Sequence, residues 1–256
     1  MSDVAIPLAL VPLLCVAAAL LIADRIGDGL PLRLIRYAAI GAVVASLVGA
    51  IAVARYVPVI DLAWMPALGV RLDFAADGIS TPLVLLTAVV GLIAVSLRYE
   101  PPADADNLEQ TAPLGPRNAA PGVATYYGAL VLVLFGAMVT FLARDAVVFF
   151  LGFETVLIPM WVLIARHGDA SKAARRDGAA MRFLLVTALG STLMLVGILV
   201  MATATGSTDL DVWATVAGAS MSGSQQLAVA IVLLLGLGLK VPIWPLHTWL
   251  PWVHAT

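Results

Sequence analysis

Long apolar segments alternate with polar ones along the whole chain, and seven of the apolar segments are long enough to cross a lipid bilayer. A transmembrane helix needs about 17–25 predominantly apolar residues. The seven segments lie near residues 4–23, 37–54, 79–97, 126–142, 146–165, 183–203 and 226–246. The pattern predicts an all-α, multi-pass bundle of about seven transmembrane helices, with the polar stretches as the connections between them.

The last apolar segment is interrupted by a lysine and two prolines. Lys240 lies within the segment, and Pro242 and Pro245 follow it directly. Each proline removes a backbone donor and disturbs the carbonyl four residues earlier, so we expect the seventh helix to be broken at Pro242/Pro245. A lysine near the bilayer centre costs about 2.5–3.5 kcal/mol on insertion scales, and a broken helix at that depth needs protein or water around it. This stretch therefore predicts a buried, hydrated and charged site.

Glu154 is the matching acid, near the middle of the fifth segment. Its neighbours on a helix, including Phe150, Leu151 and Ile158, are apolar, so it has no partner on its own helix. One interpretation is a structural hydrogen bond between helices. The other is a proton carrier that pairs with Lys240, because burial disfavours the charged form of either group and an opposite charge nearby favours it.

Other residues of these segments add smaller predictions. Pro159 should kink the fifth span and free the Thr155 carbonyl. His247 follows the broken region and either relays protons, since histidine changes charge near neutral pH, or serves as a capping or interface residue. His167 and His254 lie in a connection and near the end of the chain, where we expect them to be solvated. Three scattered histidines predict no metal site.

Composition and charge fix the class and suggest an orientation. Apolar residues make up 62% of the chain, charged residues 12%, and the mean hydropathy is +1.02, which excludes an ordinary soluble domain. The basic residues form only one short cluster, which excludes nucleic-acid binding, and the single cysteine, Cys15, cannot form an internal disulfide. With the N-terminus outside, the inside connections hold ten Lys or Arg residues and the outside ones three, as the positive-inside rule requires.

The connections carry further local predictions. Residues 55–77, 98–124 and 204–225 are expected to be loops, and residues 166–182 a basic loop that determines topology. Asp77 and Pro82 predict a capped helix start. Arg144 and Asp145 are expected to form an ion pair with each other at a turn.

Four motifs carry a resemblance to a known family. They are Ala76-Asp-Gly-Ile-Ser80, Phe149-Phe-Leu-Gly-Phe-Glu-Thr-Val-Leu-Ile-Pro-Met160, Gly190-Ser-Thr-Leu-Met-Leu195 and Lys240-Val-Pro-Ile-Trp-Pro-Leu-His-Thr-Trp-Leu-Pro251. Together they resemble the antiporter-like membrane subunits of proton-translocating NADH:quinone oxidoreductase (respiratory complex I). The Glu-x-x-Leu-Ile-Pro-Met form is similar to the M subunit, the mitochondrial subunit 4 type. The chain departs from the family at Leu250-Pro-Trp-Val-His254, where Leu-Pro-Asp-Ala-His is usual.

The resemblance implies proton translocation coupled to quinone reduction in other subunits. Glu154 and Lys240 match the family's fifth-span glutamate and broken-helix lysine, and His247 lies in the His-Thr-Trp-Leu-Pro signature. The resemblance also implies that this chain holds no cofactor and no metal, and that NADH, FMN, iron–sulfur clusters and quinone bind partner subunits. The implied partners are the other membrane subunits and the lipid bilayer, and the implied location is the bacterial plasma (inner) membrane.

Two alternatives remain open from the sequence. One is a subunit of a multisubunit cation/proton antiporter, and the other is a non-functional truncated fragment. The chain looks like the N-terminal part of an antiporter-like subunit, with residues 1–97 as the first three spans and 126–251 as an incomplete first repeat of one membrane domain, 1–256. On this interpretation the chain alone inserts into a membrane but does not translocate protons, because the inverted second repeat supplies further polar groups.

Overall fold

The computed structural model describes residues 2–26, 30–97, 122–168 and 173–254, and these residues form ten α-helices and one β-hairpin. The helices are α1 (Ser2–Ile26), α2 (Leu32–Tyr56), α3 (Ser80–Ser96), α4 (Val123–Leu142), α5 (Ala146–Thr155), α6 (Leu157–His167), α7 (Ala173–Thr205), α8 (Leu210–Ser220), α9 (Gly223–Lys240) and α10 (Leu250–His254). The hairpin strands are β1 (Val59–Met65) and β2 (Val70–Ala75), and a short 3-10 helix, Leu246–Trp249, precedes α10. The all-α, multi-pass bundle predicted from the hydrophobic pattern is confirmed.

Six stretches of the described residues are long and apolar enough to cross a membrane. They are Val4–Asp24, Leu32–Tyr56, Val123–Leu142, Ala146–His167, Arg175–Thr205 and Gly223–Lys240. The third predicted span corresponds to α3, which is apolar but has only 17 residues. At 1.5 Å per residue, α3 extends about 26 Å, a little less than the roughly 30 Å hydrocarbon core. The predicted count of seven therefore depends on including this shorter helix.

The main hydrophobic core lies between α1, α2, α3 and α4. Helices α1 and α2 approach each other closely at Gly49. A Cβ at this position would lie only 2.3 Å from the Ala9 nitrogen, so a residue without a side chain is needed there. Ser46 is fully buried at the same crossing and donates a 2.6 Å hydrogen bond to the Ala9 carbonyl. A small residue and a hydroxyl are what helix pairs in a membrane use to pack closely.

The connection at residues 55–77 is a hairpin rather than the predicted loop. Its strands pair antiparallel, from Val59 opposite Ala75 to Met65 opposite Val70, and Gly69 turns the chain with φ +69°. Valine, isoleucine, tryptophan and phenylalanine supply the β-branched and aromatic side chains that favour strands. The predicted loop 204–225 is also partly structured, because it contains α8.

Three connections meet at one end of the bundle, around Asp145. The Arg144 N–H donates to the Asp73 carbonyl on β2 at 2.9 Å, and the Ala146 N–H donates to the Thr208 carbonyl at 2.8 Å. The Thr208 hydroxyl donates to the Asp145 carboxylate at 2.5 Å. The hairpin, the α4–α5 turn and the α7–α8 link therefore lie on the same side, as alternate connections of a multi-pass bundle must.

The expected ion pair between Arg144 and Asp145 is wrong. Asp145 accepts hydrogen bonds from the Val147 and Val148 N–H groups and so caps the start of α5. The Arg144 side chain instead pairs with Asp211 at 2.5 Å. A carboxylate that caps a helix has its lone pairs engaged by main-chain donors, which leaves the arginine to an acid from another connection.

The predicted helix start at Asp77 is confirmed. The Ile79 and Ser80 N–H groups donate to its carboxylate at 2.8 and 2.7 Å, and the Ser80 hydroxyl contacts the Asp77 N–H at 2.7 Å. The basic segment 166–182 is helical from Ala173 onward. Residues 98–121 of the predicted polar loop, and residues 169–172 of the basic segment, lie outside the described part of the chain.

Candidate functional site

Helix α9 ends at Lys240, as the two prolines predicted. Its C-cap residue is Val241, and the Val241 N–H donates the last helical bond to Leu237 at 2.7 Å. The carbonyls that the break exposes find other donors: the Trp249 indole donates to the Leu239 carbonyl at 2.9 Å, and the Ile243 N–H donates to the Gly238 carbonyl at 3.0 Å. Trp249 is buried. The protein thus satisfies part of the broken helix with its own groups, which a break within a membrane requires.

The fifth predicted span is also interrupted, two residues after Glu154. Helix α5 ends at Thr155, Val156 interrupts the helical pattern, and α6 begins at Leu157. Pro159 in the first turn of α6 has no N–H to give to the Thr155 carbonyl, which explains the interruption at this place. The Thr155 hydroxyl bonds to the Leu151 carbonyl of its own helix at 2.7 Å. The helical pattern is therefore interrupted where a kink was predicted from Pro159.

The two breaks bring Glu154 and Lys240 together. The Lys240 ammonium forms an ion pair with one carboxylate oxygen, Oε1, of Glu154. The side chains are 10% and 23% exposed for Lys240 and Glu154, so the pair lies largely inside the bundle. The ammonium also contacts the Phe153 carbonyl at 3.3 Å and lies 3.9 Å from the centroid of the Phe153 ring. An ammonium has three N–H donors, and these partners suit a buried cation.

Sequence reasoning missed Ser191, which belongs to the same site. Its hydroxyl donates to Glu154 Oε1 at 2.5 Å and also lies 2.9 Å from the Thr187 carbonyl of its own helix, α7. Ser191 is 5% exposed. The residue stands within the Gly190–Leu195 motif, but a serine on an apolar helix gives no signal that it faces a charge.

Glycines bring the site helices into contact. A Cβ at Gly190 would lie 2.8 Å from the Gly236 carbonyl oxygen, and a Cβ at Gly236 would lie 2.7 Å from the Gly190 oxygen. Helices α7 and α9 therefore touch main chain to main chain beside Ser191 and Lys240. Gly136 and Gly152 pack α4 against α5 in the same way, since a Cβ at Gly136 would lie 2.8 Å from the Gly152 oxygen.

His247 lies near the break but does not join the ion pair by a hydrogen bond in the described residues. It is half-buried in the 3-10 helix, and its Nδ1 atom is buried without a hydrogen-bond partner in the part of the chain that the structure describes. His167 is not solvated as expected: its Nε2 is buried and its ring packs edge-on against Tyr126, with centroids 5.4 Å apart. The side chain of His254 lies outside the described residues.

The site combines an acid and a base whose protonation states depend on their surroundings. Among the described residues no three His, Cys, Asp or Glu side chains come together as metal ligands would. What the breaks place together is an acid, a base and a hydroxyl in a mostly apolar surrounding, and such groups exchange protons when their spacing changes. The fold and site together define a multi-pass membrane protein with an intramembrane glutamate–lysine pair at two interrupted helices.

Residues 143–256 match the family described as "NADH:quinone oxidoreductase/Mrp antiporter, TM". The chain belongs to this family of antiporter-like membrane proteins, as its motifs indicated. The chain is 34% identical over 194 residues to the NAD(P)H-quinone oxidoreductase chain 4 1 of Synechococcus sp. (strain JA-3-3Ab). The aligned residues make up 75% of this chain and 32% of the relative. The chain is 31% identical over 241 residues to the chain 4 of Synechococcus sp. (strain WH7803), covering 90% of this chain and 39% of the relative. The chain thus spans about a third of the length of these relatives.

Solved structures share the fold at lower identity. The chain superposes on the Mrp complex from Dietzia sp. DQ12-45-1b with a TM-score of 0.73 and 24% identity, over 98% of this chain and 25% of that one. It superposes on respiratory complex I from Thermus thermophilus with bound NADH with a TM-score of 0.70 and 23% identity, over 99% of this chain and 47% of that one. At these identities the likeness establishes the architecture.

Proposed function

We propose that this chain is a membrane-arm subunit of a proton-translocating NADH:quinone oxidoreductase, in which Glu154 and Lys240 carry the proton. The observation that carries the proposal is the ion pair between these two residues, each placed at the end of a helix that breaks inside a membrane span. Charged residues at membrane depth are costly and are retained where they move ions or protons.

The contact between Glu154 and Lys240 sets their protonation states. In contact, the carboxylate and the ammonium stabilise each other. When they separate in a low-dielectric surrounding, each charge loses its partner and the neutral forms are favoured. Lys240 then gives a proton to the next acceptor along the route, and Glu154 takes one from the donor side. Restoring the contact resets both groups.

His247 is proposed as the next relay after Lys240. It lies seven residues beyond the lysine, past the break, and its buried Nδ1 has no hydrogen-bond partner in the described residues. An imidazole can accept a proton on one nitrogen and release it from the other. A water molecule between the ammonium and the ring would complete the transfer.

The redox chemistry is proposed to occur elsewhere in the assembly. NADH, FMN, iron–sulfur clusters and quinone would bind partner subunits, and this chain would contact other membrane subunits and lipid. Residues 1–97 would form the first three spans and 126–251 the first antiporter-like repeat. The excess of basic residues on alternate connections favours an external N-terminus in a bacterial plasma membrane.

A cation/proton antiporter subunit is the second candidate. The family description names both classes, and the Dietzia complex that the chain superposes on is an Mrp complex. The names of the relatives at 31–34% identity favour the oxidoreductase. Deleting the gene decides between them: loss of NADH-driven proton uptake in membrane vesicles supports the first, and loss of sodium-driven proton exchange with normal NADH oxidation supports the second.

The site itself is tested by Glu154→Gln, introduced at the chromosomal locus. We expect the complex to assemble and NADH-driven proton uptake and coupled quinone reduction to fall at least tenfold, because the amide cannot hold or release a proton. Asp211→Asn, which removes an exposed acid at the end of the bundle, is the control and should leave both rates near those of the wild type. Unchanged pumping in Glu154→Gln would rule out the assignment.

A further inference from the structure

Ser191 is held in a fixed place beside Glu154. It follows Gly190, whose main chain touches that of Gly236 on the helix that carries Lys240. It is also nearly fully buried, and its hydroxyl is aimed at Glu154 from α7, a helix that carries neither of the paired charges. The residue therefore contacts the site from a third side.

The Ser191 hydroxyl has two acceptors within reach and one proton to donate. Glu154 Oε1 lies at 2.5 Å and the Thr187 carbonyl at 2.9 Å. A serine on a helix can always return to the carbonyl four residues earlier, so releasing the carboxylate leaves no unsatisfied hydroxyl. The hydroxyl oxygen can also accept a hydrogen bond when its own proton points to Thr187.

Among the described contacts, Thr187 and Thr192 on the same helix have no carboxylate as an alternative acceptor. Thr187 and Thr192 bond to the carbonyls of Phe183 and Ala188 on their own helix, as isolated hydroxyls in membrane helices do. Thr192 is exposed, one residue beyond Ser191. Ser191 differs from a serine that bonds only to its own helix because it has a second acceptor, the Glu154 carboxylate, which can change charge.

We propose that Ser191 is a positioning residue whose hydroxyl follows the charge of Glu154, donating to the carboxylate when it is ionised and turning to the Thr187 carbonyl when it is protonated. This rests on the proposed function, because it deepens the role of the same site. Two side-chain donors to Glu154 are recorded in the described residues, Lys240 and Ser191, and Lys240 is the charged one. Ser191 therefore remains as a donor at the moment when the lysine withdraws.

The consequence is that Ser191 sets how easily Glu154 keeps its charge after Lys240 leaves. A hydrogen bond to a charged acceptor is worth about a tenfold change in an equilibrium, or more. Without the hydroxyl, Glu154 should take up a proton as soon as the pair separates, and it should release that proton less readily. The slow step would then become the return of Glu154 to its ionised form.

The test compares Ser191→Ala, Ser191→Thr and Thr192→Ala in the assembled complex. Isotope-edited infrared spectroscopy follows the protonated carboxyl band of Glu154, which is identified by its absence in Glu154→Gln. We expect Ser191→Ala to shift the protonation equilibrium of Glu154 about tenfold towards the protonated form, and so to strengthen its protonated carboxyl band, because the ionised carboxylate loses a hydrogen-bond donor. Ser191→Thr keeps a hydroxyl and should restore the band, and Thr192→Ala should leave it unchanged.

Proton pumping measured against pH supplies the second readout. Ser191→Ala should narrow the pH range of NADH-driven pumping by about one pH unit, without changing the amount of assembled complex. The infrared result does not depend on turnover, so it stands or falls separately from the Glu154→Gln pumping experiment. A Glu154 band and a pH profile in Ser191→Ala identical to those of the wild type, or the same change in Thr192→Ala, would overturn the proposal.

Discussion

At the scale of single residues, the three partners of Lys240 respond differently to a proton. The Glu154 carboxylate can lose its charge, whereas the Phe153 carbonyl and ring face keep the same partial charges in every state. The carbonyl and the ring therefore always favour the charged form of Lys240. The carboxylate favours that form only while it is itself ionised. The proposed proton relay needs a base that can be deprotonated opposite an acid that can be protonated.

Lys240→Arg tests that requirement. An arginine keeps the positive charge and the ion pair with Glu154, but it cannot give up its proton. We expect the variant to assemble while NADH-driven proton uptake in membrane vesicles falls at least ~10-fold, because the proton relay is lost. Lys240→Ala should lose as much activity and in addition lower the stability of the complex, since Glu154 is left buried without its cation.

Leu234→Ala, on the exposed face of the same helix, is the control and should pump normally. Normal proton uptake in Lys240→Arg would show that Lys240 acts only as a fixed charge.

Residues of this site differ in how far the sequence predicted them. Glu154 and Lys240 were predicted because a charge within a long apolar run has few explanations. Ser191 was missed because a serine satisfies itself on any helix. The partner of Arg144 was predicted wrongly because Asp211 lies 67 residues away in the chain and only the fold brings it near.

At the scale of elements, the hairpin carries a strain that its sequence does not reveal. Asp61 and Asp73 lie directly opposite each other in the register of β1 and β2. Arg71 pairs with Asp61 at 2.5 Å, and that hydrogen bond lowers the pKa of Asp61. Burial, followed by the charges of Asp61 and Asp209, raises the pKa of Asp73 above its usual range. The two strands therefore place two like charges opposite each other, and Arg71 pairs with Asp61.

Asp73→Asn should stabilise the protein at neutral pH. A carboxyl whose pKa is raised by folding opposes folding when it is ionised, so the penalty is present above its folded pKa and absent below its unfolded pKa. We expect the free energy of unfolding to rise by a few tenths to about 1 kcal/mol at pH 7, the range for like charges opposite each other on strands. Thermal unfolding in detergent, followed by tryptophan fluorescence, measures the change.

The same comparison at about pH 3, below the ordinary pKa of aspartate, is the control, and the two proteins should unfold alike there. A variant that is less stable at pH 7, or equally stabilised at both pH values, would contradict this account of Asp73.

Elements with a single strong pattern were predicted correctly, and those with two competing patterns were not. The apolar runs predicted the membrane helices. Pro159 predicted the interruption after α5, and Pro242 and Pro245 predicted the end of α9. The hairpin was not predicted, because its polar residues and Gly69 interrupt the alternation of its valine, leucine and aromatic positions. The α4–α5 turn that holds β2 in place is distant in sequence, so its support for the strand could not be foreseen.

At the scale of the whole molecule, the alternation of connections makes the orientation testable with cysteines. Cys15 is first replaced by alanine, and single cysteines are then introduced at Leu68, at the exposed tip of the hairpin, and at Gly178, where a side chain meets open space. With the N-terminus outside, a membrane-impermeant maleimide should label Leu68→Cys in intact cells and Gly178→Cys only after the membrane is opened. The cysteine-free protein is the control for background labelling. The opposite labelling pattern would show that the N-terminus lies inside.

The sequence predicted which connections share a side but not how they contact each other. The counts of Lys and Arg separate the two sets of connections. The Arg144 and Ala146 N–H groups, which join the α4–α5 turn to the hairpin and to the α7–α8 link, donate to main-chain carbonyls. Every residue carries such groups, so these two bonds leave no mark in the pattern of side chains.

The close glycine contacts restrict which movements can separate Glu154 from Lys240, and so on what time scale. Because α7 touches α9 at Gly190 and Gly236, and α4 touches α5 at Gly136 and Gly152, the main chains around the ion pair have little room to move. Separation of Glu154 from Lys240 is then left to the side chains and to the last turn of α5. Exposed side chains change rotamer in about picoseconds to nanoseconds, whereas collective movements of helices take about microseconds to milliseconds. The switching proposed for Glu154 and Lys240 therefore requires local side-chain movements and not the slower collective movement of whole helices.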